Sequence, residues 1–201
     1  MVKADCGGCE GCSRCCHGMG KSIILDPYDV YRMTTGMGKS MQELLAASVE
    51  LNVVDGVILP NLKMQGTEEA CAYLDEEGRC SIHPYRPGIC RLFPLGRYYE
   101  NGGFSYFLQT GECAKENRSK IKVSKWIDTP DLTRNQQFTL QWHDLLHAME
   151  ERLTGEDEGK QREENLLLLR LFYLLPYEGT IDFYTQFTER MEHWNGQNGQ
   201  I

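Results

Sequence analysis

The chain begins with a dense run of cysteines. Five of its nine cysteines lie within residues 6–16, in the sequence CGGCEGCSRCC. Thiols this close together suit a metal ion or an iron-sulfur cluster, because the short loops between them place several thiolates on one face of the metal. The alternative is a set of ordinary reduced thiols, which proteins bury as small hydrophobic side chains. The regular spacing favours metal binding.

The run can be read in two registers. One follows the C-x2-C-x2-C-x3-C spacing of bacterial ferredoxins and consists of Cys6, Cys9, Cys12 and Cys16. The other, C-x2-C-x2-C-C, consists of Cys9, Cys12, Cys15 and Cys16. In an extended chain, neighbouring side chains point to opposite sides. We therefore expect Cys15 and Cys16 to serve different sites, unless the backbone turns sharply between them.

Composition narrows the class of protein. Lys and Arg number 21 and Asp and Glu 29, a net charge of -8, so we expect no nucleic-acid partner. The longest apolar run, LLLLRLFYLL, contains Arg170 and is shorter than the roughly 20 residues that span a bilayer, so we expect no membrane partner. The segment MVKADC has no signal-peptide character. We expect a cytoplasmic protein, in which dense reduced thiols indicate metal binding rather than disulfides.

The first part of the chain is predicted to form short helices and hairpins. Asp26 before Pro27 predicts a helix that ends near Gly36, and Ser40 with Glu43 predicts the capping box of a second helix. Turn sequences predict three hairpins, within residues 49–64, 71–82 and 97–108. The second of these would bring the cysteines at positions 71 and 80 together.

The second part is predicted to be helical. A stripe at helical spacing consists of Phe138, Trp142, Leu145, Leu146, Met149 and Leu153. Residues 166–175 are apolar nearly all round and predict a central, buried helix, and Thr180 is the predicted cap of a last helix. We therefore expect an α+β fold with a cysteine-rich module at 1–125 and about three packed helices at 126–201, in a single compact domain.

Further motifs resemble a known family. The cysteine run is followed by LDPYDVYRM, by CAYLDEEGRCSIHPYRPGICRLFP at residues 71–94, and by a last cysteine. This order resembles the CxxCxxCC family of YkgJ-like proteins, known as zinc- or iron-chelating, over roughly the first 115–125 residues. The resemblance implies a set of eight metal ligands: Cys9, Cys12, Cys15, Cys16, Cys71, Cys80, Cys90 and Cys113. Cys6 is an extra cysteine and a ninth candidate.

The resemblance and the spacing together suggest a cofactor. Eight thiolates would fill two four-ligand sites, or one site with spare ligands, and thiolates suit either zinc or an iron-sulfur cluster. The ferredoxin-like spacing favours an iron-sulfur cluster, of the 4Fe-4S type, with an electron-transfer or redox role and an unidentified redox or protein partner. Similarity to the module of flagellin lysine N-methylases implies an alternative, S-adenosylmethionine-dependent methyl transfer. A structural or storage zinc protein is the third possibility.

Other polar side chains adjoin the predicted ligands. His17 could donate a hydrogen bond to a cluster sulfur. Arg86 and Arg91 flank a ligand cysteine and would either pair with carboxylates such as those at positions 26 and 29 or bind an anionic group. His143 and His147 stand four residues apart on a helix, but they fall on its polar face, so we expect them to be solvated and not ligands.

Overall fold

The computed structural model describes residues 1–5, 7, 12–115 and 117–198. Within these residues it contains seven α-helices and four two-stranded antiparallel sheets, which confirms the predicted α+β class. Cys6 and Cys9, both predicted as ligands, lie outside the described residues. No helix in the described part of the chain is long and apolar enough to cross a membrane.

The elements follow one another in short segments until the long helices near the end. The helices are α1 (Pro27–Met37), α2 (Met41–Ala47), α3 (Gly88–Leu92), α4 (Val123–Ile127), α5 (Leu132–Leu153), α6 (Glu158–Leu169) and α7 (Phe183–Asn198). The strands are β1 (Val2–Asp5), β2 (Val49–Val54), β3 (Val57–Leu62), β4 (Met64–Gln65), β5 (Ala70–Cys71), β6 (Leu95–Glu100), β7 (Gly103–Leu108) and β8 (Ser119–Ile121). The sheets pair β1 with β8, β2 with β3, β4 with β5 and β6 with β7.

The first two helices begin where the sequence predicts. The Asp26 side chain accepts a hydrogen bond from the backbone N–H of Asp29 (2.8 Å), and the Asp26 N–H donates back to the Asp29 carboxylate. Ser40 and Glu43 form the same reciprocal capping box for α2. Both boxes satisfy backbone donors that the first helical turn leaves unpaired. Helix α1 ends at Met37, one residue beyond the predicted end, and is followed by Gly38 at φ 64°.

Two of the three predicted hairpins are confirmed, and the third is present only as a turn closed by one antiparallel bridge. The hairpins β2–β3 and β6–β7 are present, but β5 pairs back to β4 instead of running into a hairpin across residues 71–82. The side chain of Asp75 accepts hydrogen bonds from the N–H groups of Glu77 and Arg79. These local bonds compete with strand pairing, so the segment forms turns with a single bridge between Leu74 and Cys80.

The C-terminal helices depart from prediction in two places. Helix α6 continues into a π-helical turn, Arg170–Leu174, and Leu166 and Leu175 are about half exposed, so the segment is not buried all round. Only the inner face of residues 166–175 packs against the core, through side chains such as those of Leu168 and Phe172. The side chain of Asp182, not that of Thr180, receives the hydrogen bond from an N–H of the first turn of α7.

Buried side chains form two hydrophobic clusters. The larger, here called the main core, joins both predicted parts: Tyr28 of α1 packs edge-on against Phe183 of α7, with ring centroids 4.9 Å apart. The smaller, here called the minor core, consists of Leu92, Leu95 and Ile127, with half-buried side chains such as Trp126 packed against it. The cysteine-bearing segments lie along both clusters.

Candidate metal centre

A tight turn and a backbone bridge place Cys16 beside Cys71. Residues Arg14–Cys16 form a 3-10 turn in which the Cys16 N–H donates to the Ser13 carbonyl (2.8 Å). His17 then forms an antiparallel bridge with Ala70, the residue that precedes Cys71 in β5. The Gly18 N–H donates to the Glu69 carbonyl (3.0 Å) and extends this contact. His17, half-buried, thus joins the two cysteine segments through its backbone.

The sharp turn also brings the neighbouring thiols of Cys15 and Cys16 together. The Cys16 thiol donates a hydrogen bond to Cys15, which, aided by the charge of Arg86, lowers the pKa of Cys15 to about 6 although burial opposes the shift. The same bond, together with burial, raises the pKa of Cys16. The expectation that the two side chains point apart assumed an extended backbone; in the 3-10 turn they touch.

Turns after β5 bring Cys80 close to Cys71. The Leu74 N–H donates to the Cys71 carbonyl (2.9 Å), and Leu74 then bridges to Cys80. Tyr73, between them, is buried and its hydroxyl shares a hydrogen bond with the Ser48 hydroxyl (2.6 Å). Burial raises the pKa of both thiols, and the charge of Cys80 raises that of Cys71 further.

Helix α3 carries Cys90 and is fixed by α1. The N–H of Gly88, the first residue of α3, donates to the carboxylate of Asp29 (2.6 Å). Arg91 lies 3.8 Å from the same carboxylate and donates to the Thr129 hydroxyl (2.6 Å). Arg91 and Asp29 are both buried. The sequence predicted Asp29 only as one possible ion-pair partner of Arg86 or Arg91. Its second role, as acceptor for the start of α3, depends on a contact across 59 positions of the chain.

Five thiols from three segments lie within electrostatic reach of one another. Burial is the main cause that raises the pKa of Cys90, and the charges of Asp29, Cys71, Cys80 and Cys15 add to it. The charges of Cys71 and Cys90 likewise raise the pKa of Cys16. The positive charge of Arg86, a half-buried residue, acts in the opposite direction on Cys15 and Cys80.

Cys12 and Cys113 lie at a different place, around a small cavity. They line a space of about 20 Å³ together with Cys15, and the lining also includes Phe93, Pro94 and Trp126. This volume is enough for one water-sized group. The Gln109 N–H donates to the Pro94 carbonyl (2.9 Å) and holds the chain that leads from β7 to Cys113.

The two helical histidines differ in exposure. His147 is exposed and lies 3.6 Å from Glu151, as expected for a polar face. His143 is half-buried instead, because its ring stacks on Tyr99 of β6 with centroids 3.7 Å apart. The prediction of a solvated pair therefore holds for His147 and was wrong for His143.

The donor set fits a metal that prefers thiolates. All seven cysteines of the described part of the chain are half-buried free thiols. Among residues 1–5, 7, 12–115 and 117–198, no three Cys, His, Asp or Glu side chains already stand in a ligating arrangement. Ligation of one metal by several of these thiols would therefore require them to move closer together. A bound cation would also offset the repulsion among neighbouring thiolates, and cysteine-rich donor sets bind zinc or iron-sulfur clusters.

Comparison with known proteins agrees with this chemistry. The sequence profile of the CxxCxxCC family, described as a "Putative zinc- or iron-chelating domain", matches residues 8–139. The match covers more than half of the chain and includes every described cysteine. It extends into the first residues of α5, whereas the resemblance seen in the sequence was expected to end at residues 115–125. No curated protein and no solved structure gives a significant match.

Proposed function

Because the chain belongs to the CxxCxxCC family of metal-chelating domains, we propose that its clustered thiols hold an iron-sulfur cluster and that the protein carries electrons or senses redox state. One observation carries this proposal: free thiols from three separate segments, represented by Cys15, Cys80 and Cys90, lie within electrostatic reach of one another. All-thiolate ligation is typical of 4Fe-4S clusters.

The residues around the thiols suit this role. Cys16, Cys71, Cys80 and Cys90 would supply the sulfur ligands, and a bound cluster would supply reversible one-electron transfer. Arg86 offsets negative charge that thiolates bring to the site. The main core excludes water on one side, because three of these four thiols pack against it.

We also propose a redox protein as partner and the cytoplasm as location. The thiols are half-buried and not fully enclosed, so an electron donor or acceptor protein could dock close to the site. The described cysteines are free, and dense free thiols persist in a reducing compartment. Electron exchange with a purified ferredoxin-type reductant would test the first proposal, and lack of any exchange by the loaded protein would contradict it.

Anaerobic purification tests the cofactor. We expect iron together with acid-labile sulfide, a broad visible absorption that dithionite bleaches, and a Mössbauer spectrum of cluster iron. Cys90→Ser should lose most of this absorption. Colourless protein with stoichiometric zinc that reconstitution with iron and sulfide does not change would replace the proposal with a zinc protein.

Methyl transfer remains a separate prediction from the methylase resemblance. Of the two arginines considered for anion binding, Arg91 is engaged by Asp29 and Thr129, which leaves Arg86 as the better candidate. Calorimetry with S-adenosylmethionine on reconstituted protein tests this prediction. Absence of heat, with an unchanged electron paramagnetic resonance spectrum of the reduced cluster, would exclude it.

A further inference from the structure

A small sheet beside the thiol-bearing segments has one apolar face and one basic face. Strands β1 and β8 pair antiparallel, with Lys3 directly opposite Lys120. Directly paired residues present their side chains on the same face of a sheet, with Cβ atoms about 5 Å apart. Both lysines are exposed, whereas Ala4 is fully buried and Val2 packs against the minor core. The apolar face therefore points inward and the two lysines point outward.

Two further lysines extend the outer face. Lys122, two residues beyond Lys120, has an extended backbone and is exposed, so its side chain lies on the same side of the chain as that of Lys120. Lys125 is also exposed, in helix α4, which packs against β1. The four lysines at positions 3, 120, 122 and 125 are here called the basic face.

The basic face has no counter-ions of its own. None of its lysines forms an ion pair within the described part of the chain, although acidic residues outnumber basic ones, 29 to 21. The carboxylate of Asp5, in the same sheet, instead accepts from the Gly7 N–H (3.1 Å) and the Ser119 hydroxyl (3.1 Å). Like charges directly opposite in a sheet are destabilising. The pairing of Lys3 with Lys120 therefore disfavours the folded state, and contact with an acidic surface would reverse this effect.

The minor core connects the basic face to the thiols. Trp126, in α4, packs in the minor core and lines the cavity that contains Cys113. Its indole N–H donates to the Leu92 carbonyl (3.2 Å). Leu92 is the last residue of α3, the helix that carries Cys90. A protein seated on the basic face would therefore lie across the minor core from these thiols.

We propose that the basic face docks an acidic electron-carrier protein; the class of partner rests on the proposed function, whereas the charge of the partner follows from the lysines alone. Carboxylates of the carrier would lie opposite the four lysines and offset the repulsion between the lysines of β1 and β8. A nucleic acid presents a continuous line of negative charge, which the net charge of -8 on this chain would repel. A compact acidic patch on a protein matches four clustered lysines better.

Calorimetry of the full-length protein with a purified acidic ferredoxin tests this docking. We expect binding whose affinity falls at least about tenfold between about 0.01 M and 1 M salt, because salt screens exposed charges. Lys120→Glu with Lys122→Glu should weaken binding about tenfold at low salt. Lys21→Glu with Lys39→Glu, at exposed positions outside the basic face, is the matched control: it changes the net charge equally and should bind as the wild type does.

A second measurement tests the geometry of the basic face. The single change Lys120→Glu places a carboxylate opposite Lys3 and should raise the midpoint of thermal unfolding by about 1–3 °C, while it weakens ferredoxin binding. Opposite effects on stability and on binding are expected only if the two lysines are neighbours that also contact the partner. A loss of both, or a change in neither, would contradict the proposal.

The remaining outcomes separate this proposal from the proposed cofactor. No binding by the wild type, or equal weakening by the two double variants, would overturn the docking and leave the cofactor untouched. Binding of duplex DNA or of phosphatidylserine vesicles in place of ferredoxin would overturn it too, because the partner would then be of another class. The cofactor proposal fails separately, through the absence of iron and sulfide. Circular dichroism checks folding, and if the double variant of the basic face does not fold, Lys120→Glu alone decides.

Discussion

The carboxylate of Asp29 in α1 accepts a hydrogen bond from the N–H of Gly88, at the start of the helix that carries Cys90 (2.6 Å). The same carboxylate caps the start of α1 through Asp26 and pairs with the buried Arg91. One buried side chain therefore fixes the orientation of two helices and, through α3, the position of a proposed ligand.

Replacement of Asp29 by alanine should destabilise the metal-free protein by about 3 kcal/mol, because it leaves the buried Arg91 without its counter-ion and the Gly88 N–H without its acceptor. Metal content should fall too, since α3 loses its anchor. Urea unfolding and metal analysis measure both effects. Asp144→Ala, at an exposed position of α5, is the matched control and should change neither. A loss below 1 kcal/mol would mean that Asp29 does not anchor α3.

The stability of the metal-free protein should depend on the protonation of Asp29. Burial raises the pKa of its carboxyl to about 7, whereas the unfolded chain releases this proton near pH 4. Between these values the folded state binds more protons than the unfolded one, so the contribution of Asp29 to the free energy of unfolding decreases as pH rises from about 4 to 7. The Asp29→Asn variant, compared with wild type by urea unfolding at each pH, should lack this decrease. Parallel curves for the two proteins would contradict the shift.

Gly36 in α1 should not tolerate alanine, because a methyl group there would overlap the ring of Tyr85 in the segment between Cys80 and Cys90. Helix propensity alone predicts the opposite, a gain of up to about 1 kcal/mol. We expect a loss of about 1–3 kcal/mol from overpacking. Gly196→Ala in α7, where the added methyl group meets open space, is the matched control and should be neutral or slightly stabilising. If Gly36→Ala and Gly196→Ala changed the thermal unfolding temperature equally, Gly36 would not be closely packed against Tyr85.

The two histidines of α5 should affect stability without affecting metal content. His143→Ala removes the stack on Tyr99 and should cost about 1 kcal/mol. His147→Ala should cost less, because its side chain is exposed. The double variant should retain the full metal load in elemental analysis. A fall in bound metal in the double variant would mean that α5 contributes ligands to the metal site.

Asp182 should cap α7 in place of Thr180. Its carboxylate accepts from the Thr185 N–H (3.0 Å) and pairs with Arg134, so Asp182→Ala should lower the free energy of unfolding by about 1 kcal/mol. Thr180→Ala, at an exposed position, should have little effect. Urea unfolding of the two single variants decides between them, and a larger loss from Thr180→Ala would restore the cap predicted from the sequence.

The sequence by itself determined the features that depend on residues a few positions apart. The capping boxes at Asp26 and Ser40 and the hairpin turns at residues 55–56 and 101–102 all form where they were predicted. Such features need only local hydrogen bonds and backbone conformations that the residue types already favour. The many cysteines likewise indicated that the bound group is a metal, and the family match supports this prediction.

Only the tertiary structure decided how the cysteines are grouped. The bridge from His17 to Ala70 and the bond from Gly88 to Asp29 join segments separated by 53 and 59 positions, and no local pattern specifies such pairings. Their formation depends on how the hydrophobic clusters pack, because each weak contact forms only when the burial of apolar surface has offset the entropy of closing a long loop. For the same reason the stack of His143 on Tyr99 could not be read from the spacing of residues along α5.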